Sequence, residues 1–179
     1  MLQAGAPDPG SARREVPASR DRTPVEAIVL ELFGVIIAFD DDVVPMPGMA
    51  DLVGSLSERF RLVLLSNVDH CYWRTVQERH PELQDITKLP VSCDLGLAKP
   101  EPEAFLLASR AAGADPARCL FVDDTRVNAE AAQALGFQTH LYRDVPGFRE
   151  TLRHRDIARY PDTPLGRCEH RTAPRVFTC

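Results

Sequence analysis

The sequence predicts an α/β domain, a mostly parallel sheet with helices on both faces in a three-layer sandwich. Three observations carry this reading. Residues 27–30 form a continuous apolar run, Ala-Ile-Val-Leu, of the kind a central strand buried on both faces requires. Comparable runs recur at 62–65 and 119–122, and each closes on polar residues. Between them lie stretches with apolar residues at helical spacing. A chain of 179 residues suffices for one domain with a sizeable core.

In chain order, residues 1–24 are poor in large apolar side chains and rich in Pro, Ser and Arg, which predicts a disordered leader before an ordered domain over 25–154. After the first strand, residues 36–47 set Asp40, Asp41 and Asp42 among apolar neighbours and run into Pro45 and Pro47, the pattern of a short flap or hairpin. Met49, Leu52, Val53, Leu56 and Phe60 then fall on one helical face. A second strand over 62–65 ends in Ser66 and Asn67. A second helix is predicted over 71–80, with Pro81 beyond it. Residues 89–91 form a short third strand that leads through Gly96 to Pro100 and Pro102, which open a helix running to about Ala112. The fourth strand, "CLFVDD", ends in Asp123 and Asp124, and its helix over 128–135 stops at Gly136. A fifth strand over 138–142 and a last helix over 145–154 complete the domain. Residues 155–179 carry Pro161, Pro164 and Pro174 with little periodicity, an extended or disordered tail.

Composition narrows the function classes. The net charge is −5, but the two ends are slightly basic, so residues 25–154 carry −8. That charge argues against nucleic-acid binding by the core. No apolar run nears the roughly 18 residues of a membrane span, and residues 1–23 lack the apolar core of a signal peptide. A cytoplasmic protein with no membrane partner is the expectation. The five cysteines, Cys71, Cys93, Cys119, Cys168 and Cys179, are odd in number and scattered, as reduced thiols are. Cys168, His170 and Cys179 lack the paired spacing of a zinc site.

In open α/β sheets chemistry gathers where strands end, at their carboxyl edge. Glu31 stands at the end of the first run, Ser66 and Asn67 at the end of the second, Lys99 after the third and Asp123 and Asp124 after the fourth. Singly, each has a structural reading: Ser66 and Asn67 as helix caps, Lys99 as a surface lysine before Pro100, Asp123 or Asp124 as an N-cap. Together they predict one site.

This order of motifs resembles the haloacid-dehalogenase-like (HAD) superfamily of hydrolases, most of which are phosphatases. The resemblance covers roughly residues 27–141 and rests on "ELFGV", "LLSN", "LGLAKPEPEAF" and "LFVDDTRVNAEAAQALGF". It implies a Rossmann-like core and a Mg²⁺-dependent phosphohydrolase in which the first-motif carboxylate, Glu31, attacks phosphorus to form an acyl-phosphate. It further implies that Lys99 neutralises charge, that Ser66 and the Asn67 backbone bind a phosphoryl oxygen, and that Asp124 holds Mg²⁺ with Glu31 and the Phe33 carbonyl. Asp123 would orient Lys99 or a metal-bound water. The implied partner is a phosphorylated small molecule or macromolecule.

Three departures bear on activity. The family nucleophile is normally Asp, and Glu31 displaces the carboxylate by about 1 Å, a misplacement that can cost on the order of 100-fold in rate. Phe33 replaces the usual general acid two residues on, a loss of roughly 100- to 10,000-fold where the leaving group needs a proton. Between Glu31 and Ser66 there is no room for a cap domain, so the site is open unless the acidic flap, the C-terminal tail or a second copy in a homo-oligomer covers it. Two alternatives follow: a degenerate member with a binding or assembly role, and the same fold using Glu31 as general base for non-phosphate chemistry.

Overall fold

A computed structural model describes residues 23–38, 44–80, 83, 86–90, 96–155 and 157. Five parallel strands, β1 (Ala27–Leu30), β2 (Arg61–Ser66), β3 (Thr87–Pro90), β4 (Cys119–Asp123) and β5 (Gln138–Leu141), form one sheet in the order β3-β2-β1-β4-β5. β1 is central, which is why all four of its residues can be apolar and all are fully buried.

Strand alternation divides the core between two faces. Ile28, Leu30, Leu62, Leu64, Leu120 and Val122 point to one side, where they meet α1 (Met49–Ser57), α2 (His70–Arg79) and α5 (Val145–His154) through Leu52, Trp73, Val76 and Phe148. Ala27, Val29, Val63, Leu65 and Phe121 point to the other side, toward α3 (Pro102–Ala112) and α4 (Arg126–Ala134). On that face Ala104, Ala108 and Ala112 let α3 lie close to the sheet, while Phe105, Phe121 and Phe137 fill the remaining volume edge to face. The predicted three-layer α/β architecture is the observed one.

Element limits shift where polar residues carry a strand or helix turn. β3 starts at Thr87, ahead of the apolar residues that marked it, and among the described residues it is an edge strand beside β2. α4 starts at Arg126, because its first two residues, Arg126 and Val127, are exposed and do not belong to the buried helical face that begins at Asn128. Among the described residues, the link from β1 to β2 holds an antiparallel bridge between Ile37 and Pro45 and the helix α1. Ala38 N–H donates to the Val44 carbonyl (2.8 Å) and Met46 N–H to the Ile36 carbonyl (2.7 Å), which closes the hairpin. No cap domain is present among the described residues.

At the far end, Arg155 donates to Gln138 Oε1 (2.6 Å) and to the Thr139 carbonyl (3.2 Å), and Ile157 is buried. The packed domain therefore reaches Ile157, three residues past the expected limit. The expected leader (residues 1–24, apart from 23 and 24), the tail beyond 157, and Asp40, Asp41, Asp42, Cys168, His170 and Cys179 lie outside the described residues.

His140, on β5, stacks on Phe148 with ring centroids 5.2 Å apart; its Nδ1 meets Thr151 Oγ1 at 2.9 Å, and its buried Nε2 has no partner. Burial first, and then the nearby Arg155, push its pKa below the ordinary 6.5, opposed by Asp144. The unfolded chain then takes up a proton that the folded chain refuses, so this group's contribution to stability is lost as pH falls through and below 6.5. Denaturant titrations between pH 7.5 and 5 should show a smaller acid loss of stability in His140→Gln than in the unaltered chain. Equal losses would contradict this.

Candidate active site

Register brings the polar groups to one level. Leu30 pairs with both Leu64 and Val122, so Glu31 stands in line with Leu65 and Asp123, and Ser66 lies one residue further along β2. Glu31 N–H still bonds the Val122 carbonyl (2.9 Å), and Tyr142 N–H bonds the Asp123 carbonyl (2.8 Å), so both residues are fixed to the sheet. After Glu31 the chain turns sharply: Ile36 and Ile37 N–H both reach the Leu32 carbonyl (2.9 Å each), and Gly34 adopts φ +74°, a left-handed conformation that favours glycine.

Four of the predicted residues meet in a buried cluster. Glu31 is 7% exposed, Ser66 1%, Lys99 5% and Asp123 0%. Lys99 Nζ forms ion pairs with Glu31 Oε2 and with Asp123 Oδ2, the latter at 2.7 Å, and lies 5.6 Å from the centre of the Phe121 ring. Glu31 Oε1 accepts from Ser66 Oγ (2.5 Å), Leu32 N–H (2.8 Å) and Phe33 N–H (3.2 Å). Asp123 Oδ1 accepts from Thr125 N–H (2.8 Å), and Asn128 Nδ2 bridges both Asp123 oxygens (3.2 and 3.1 Å). Two carboxylates thus share one ammonium, and the surplus negative charge is met by five neutral donors. Burial lowers the Lys99 pKa below the ordinary 10.5, while Asp123 above all, and Asp124, hold it up.

Asn67 acts through its side chain. Its Nδ2 donates to the Lys99 carbonyl and its Oδ1 accepts from Lys99 N–H, both at 2.8 Å, a reciprocal clamp between the end of β2 and the Lys99 loop. Helix capping, the structural reading of Ser66 and Asn67, falls instead to Asp69, which accepts from Tyr72 N–H (2.8 Å). Phe33 lies at the rim, edge-on to Tyr72 with centroids 5.2 Å apart, while Trp73 is in the core. Asp124 stands outside the buried cluster: half-buried, its Oδ1 accepts from Thr125 Oγ1 (3.3 Å) and its carbonyl from Arg143 Nη1 (3.3 Å). Asn128, Thr125 and the Leu32 amide were not singled out from the sequence. Only Asn128 left a trace there, as a polar residue five positions after Asp123 in an Ala-rich helix.

The oxygen donors at this edge are of the hard type Mg²⁺ takes. Asp124 and the Phe33 carbonyl fit that role by their chemistry. Glu31 as it lies does not, because both its oxygens are held by Ser66, Lys99 and the turn amides. Among the described residues no three His, Cys, Asp or Glu side chains are grouped to hold a metal.

The family profile described as haloacid dehalogenase-like hydrolase matches residues 8–136. The chain belongs to this family. Among curated proteins, bifunctional epoxide hydrolase 2 of Rattus norvegicus is 31% identical over 74 residues, which is 41% of this chain and 13% of that one. This chain therefore spans only about an eighth of that relative. A HAD family enzyme from Bacteroides thetaiotaomicron, solved as a magnesium complex, superposes with a TM-score of 0.64 at 20% identity, covering 73% of this chain and 100% of that one. The same enzyme was also solved, as a mutant, with magnesium and inorganic phosphate (TM-score 0.59, 22% identity, 68% and 95% covered). A predicted HAD-like hydrolase from Porphyromonas gingivalis gives 0.62 at 20% identity, with 73% and 99% covered. No described helix of this HAD-like chain is long and apolar enough to cross a membrane.

The Asn128 bonds predict a measurable cost. Asn128→Ala leaves a fully buried carboxylate short of one donor group and should lower unfolding free energy by about 1–3 kcal/mol. Denaturant melts check this; a change below about 0.5 kcal/mol would show that Asp123 does not depend on Asn128.

Proposed function

We propose that this HAD-like chain is a Mg²⁺-dependent hydrolase of phosphate monoesters with an open, uncapped site. One observation carries the reading: the Ser66 hydroxyl and the Leu32 and Phe33 N–H groups converge on one oxygen of the Glu31 carboxylate, and the Lys99 ammonium pairs with the other. Such a preorganised set of donors stabilises the equatorial oxygens of a transferring phosphoryl group.

In this reaction a Glu31 oxygen attacks phosphorus, the ester oxygen departs with its bonding pair, and an acyl-phosphate forms on Glu31. Water then attacks phosphorus, which frees inorganic phosphate, releases a proton and restores the carboxylate. Lys99, held by Asp123 and by the Asn67 clamp on its backbone, meets the charge in both steps. Mg²⁺, held by Asp124 and the Phe33 carbonyl and by Glu31 once it leaves its present bonds, would neutralise further phosphoryl charge. Magnesium and phosphate in the Bacteroides enzyme support this choice of cofactor. With Phe33 in place of a general acid, the departing oxygen takes its proton from solvent, so substrates with acidic leaving groups are favoured. With no cap among the described residues, the site has room for a macromolecular phosphate as well as a small one.

A second reading, a binding or assembly protein without turnover, is favoured by the saturation of both Glu31 oxygens. The two separate cleanly in an assay. With Mg²⁺ present, 4-nitrophenyl phosphate should be hydrolysed at least about 100-fold faster than an alkyl phosphate. Glu31→Gln and Lys99→Met should each remove at least about 100-fold of that rate. Turnover that is absent, or indifferent to Glu31, would overturn the phosphohydrolase reading in favour of the second.

A further inference from the structure

We propose that the Glu31 carboxylate is a built-in ligand of its own anion cradle, so that a phosphoryl group enters only when this side chain swings out. The inference rests on the reading above, that the cradle accepts phosphoryl oxygens. It adds that the resting protein already fills the cradle with an internal anion.

The contacts point one way. Ser66 Oγ, Leu32 N–H and Phe33 N–H all end on Glu31 Oε1, and Lys99 Nζ pairs with Oε2. Three of these donors meet on a single carboxylate oxygen, as they would on an oxygen of a bound phosphoryl group. Side-chain length explains how. The carboxylate reaches back over the turn to the amides one and two residues ahead, and an Asp at this position would end about 1 Å short.

Charge makes the occupation exclusive. Glu31 and Asp123 are buried around one ammonium, and Asp124 lies close enough to act on Lys99 electrostatically. A phosphate dianion added to this group would face two buried carboxylates sharing one cation, at short range and away from water. Replacing Glu31 rather than joining it removes that conflict. Glu31 keeps 7% exposure, so it borders solvent. Phosphate affinity then scales with the fraction of molecules in which the cradle is vacant. If that fraction is a tenth or less, removing the internal anion raises affinity by about 10-fold or more.

Isothermal titration of the full chain with inorganic phosphate tests this, run in parallel on the unaltered protein, Glu31→Ala, Glu31→Asp and the double variant Glu31→Ala/Lys99→Met. Expected are phosphate affinities at least about 10-fold tighter in Glu31→Ala, intermediate in Glu31→Asp, and a gain that disappears in the double variant. Should Glu31→Ala fail to fold, as circular dichroism would show, the charge-preserving Glu31→Asp decides alone: affinity above that of the unaltered chain supports the inference, and equal affinity overturns it. Phosphate bound equally well by the unaltered chain and Glu31→Ala would overturn the internal-ligand inference while leaving the phosphohydrolase reading standing. Phosphate bound by none of the folded proteins would overturn both. A gain that survives Lys99→Met would place the phosphate elsewhere and also overturn the inference.

Discussion

A buried lysine flanked by two carboxylates organises this molecule's functional edge. Lys99 lies almost entirely out of water, and a lone ammonium there would be strongly disfavoured. Glu31 and Asp123 make its charge tolerable, and each brings a constraint from its own strand: Glu31 from β1, Asp123 from β4. The pairing therefore joins the loop after β3 to the two central strands of the sheet. Asn67 adds β2 by holding the Lys99 backbone on both its donor and its acceptor. Every strand but β5 contributes a group or a loop to the cluster, and β5 contributes through the Tyr142 amide that fixes Asp123. Removing one charge would leave its partners buried and unmatched, which is the costly way to break such a network.

The sheet and its polar edge were legible in the sequence because their signals are local. Residues 27–30 and 119–122 are apolar without interruption, which only a strand buried on both faces needs, and the residues following them are charged. The convergence of Glu31, Ser66, Lys99 and Asp123 follows from placing each at the end of a parallel strand. What stayed hidden depends on side-chain direction. That Asn67 works through its amide side chain, that Asn128 reaches Asp123, and that Glu31 folds back onto its own turn are outcomes of rotamer and register with no sequence periodicity. The starts of the edge strand β3 and of α4 were each placed two residues late, because Thr87 and Lys88 are polar in sequence and Arg126 and Val127 lie off the buried helical face.

The same geometry sets how this family member differs from the family pattern. Glu31 is long enough to satisfy the Ser66 hydroxyl and the amides of its own turn, and Phe33, at the position of the family's usual acid, packs on Tyr72. With the hairpin and α1 between β1 and β2, nothing among the described residues closes over the rim. The internal carboxylate balances Lys99 and orders the Ser66 hydroxyl and the turn amides. On the proposed reading, such a site exchanges one anion for another when it acts.

The most direct test of this electrostatic core is a double-mutant cycle in unfolding free energy on Glu31→Gln, Lys99→Met and the double variant. If Lys99 is held as described, Lys99→Met alone should cost about 3–5 kcal/mol by stranding buried carboxylates, and the double variant should cost less than the two single changes added together. Costs that add to within about 0.5 kcal/mol would mean that the two side chains do not share their charge, and would contradict the account.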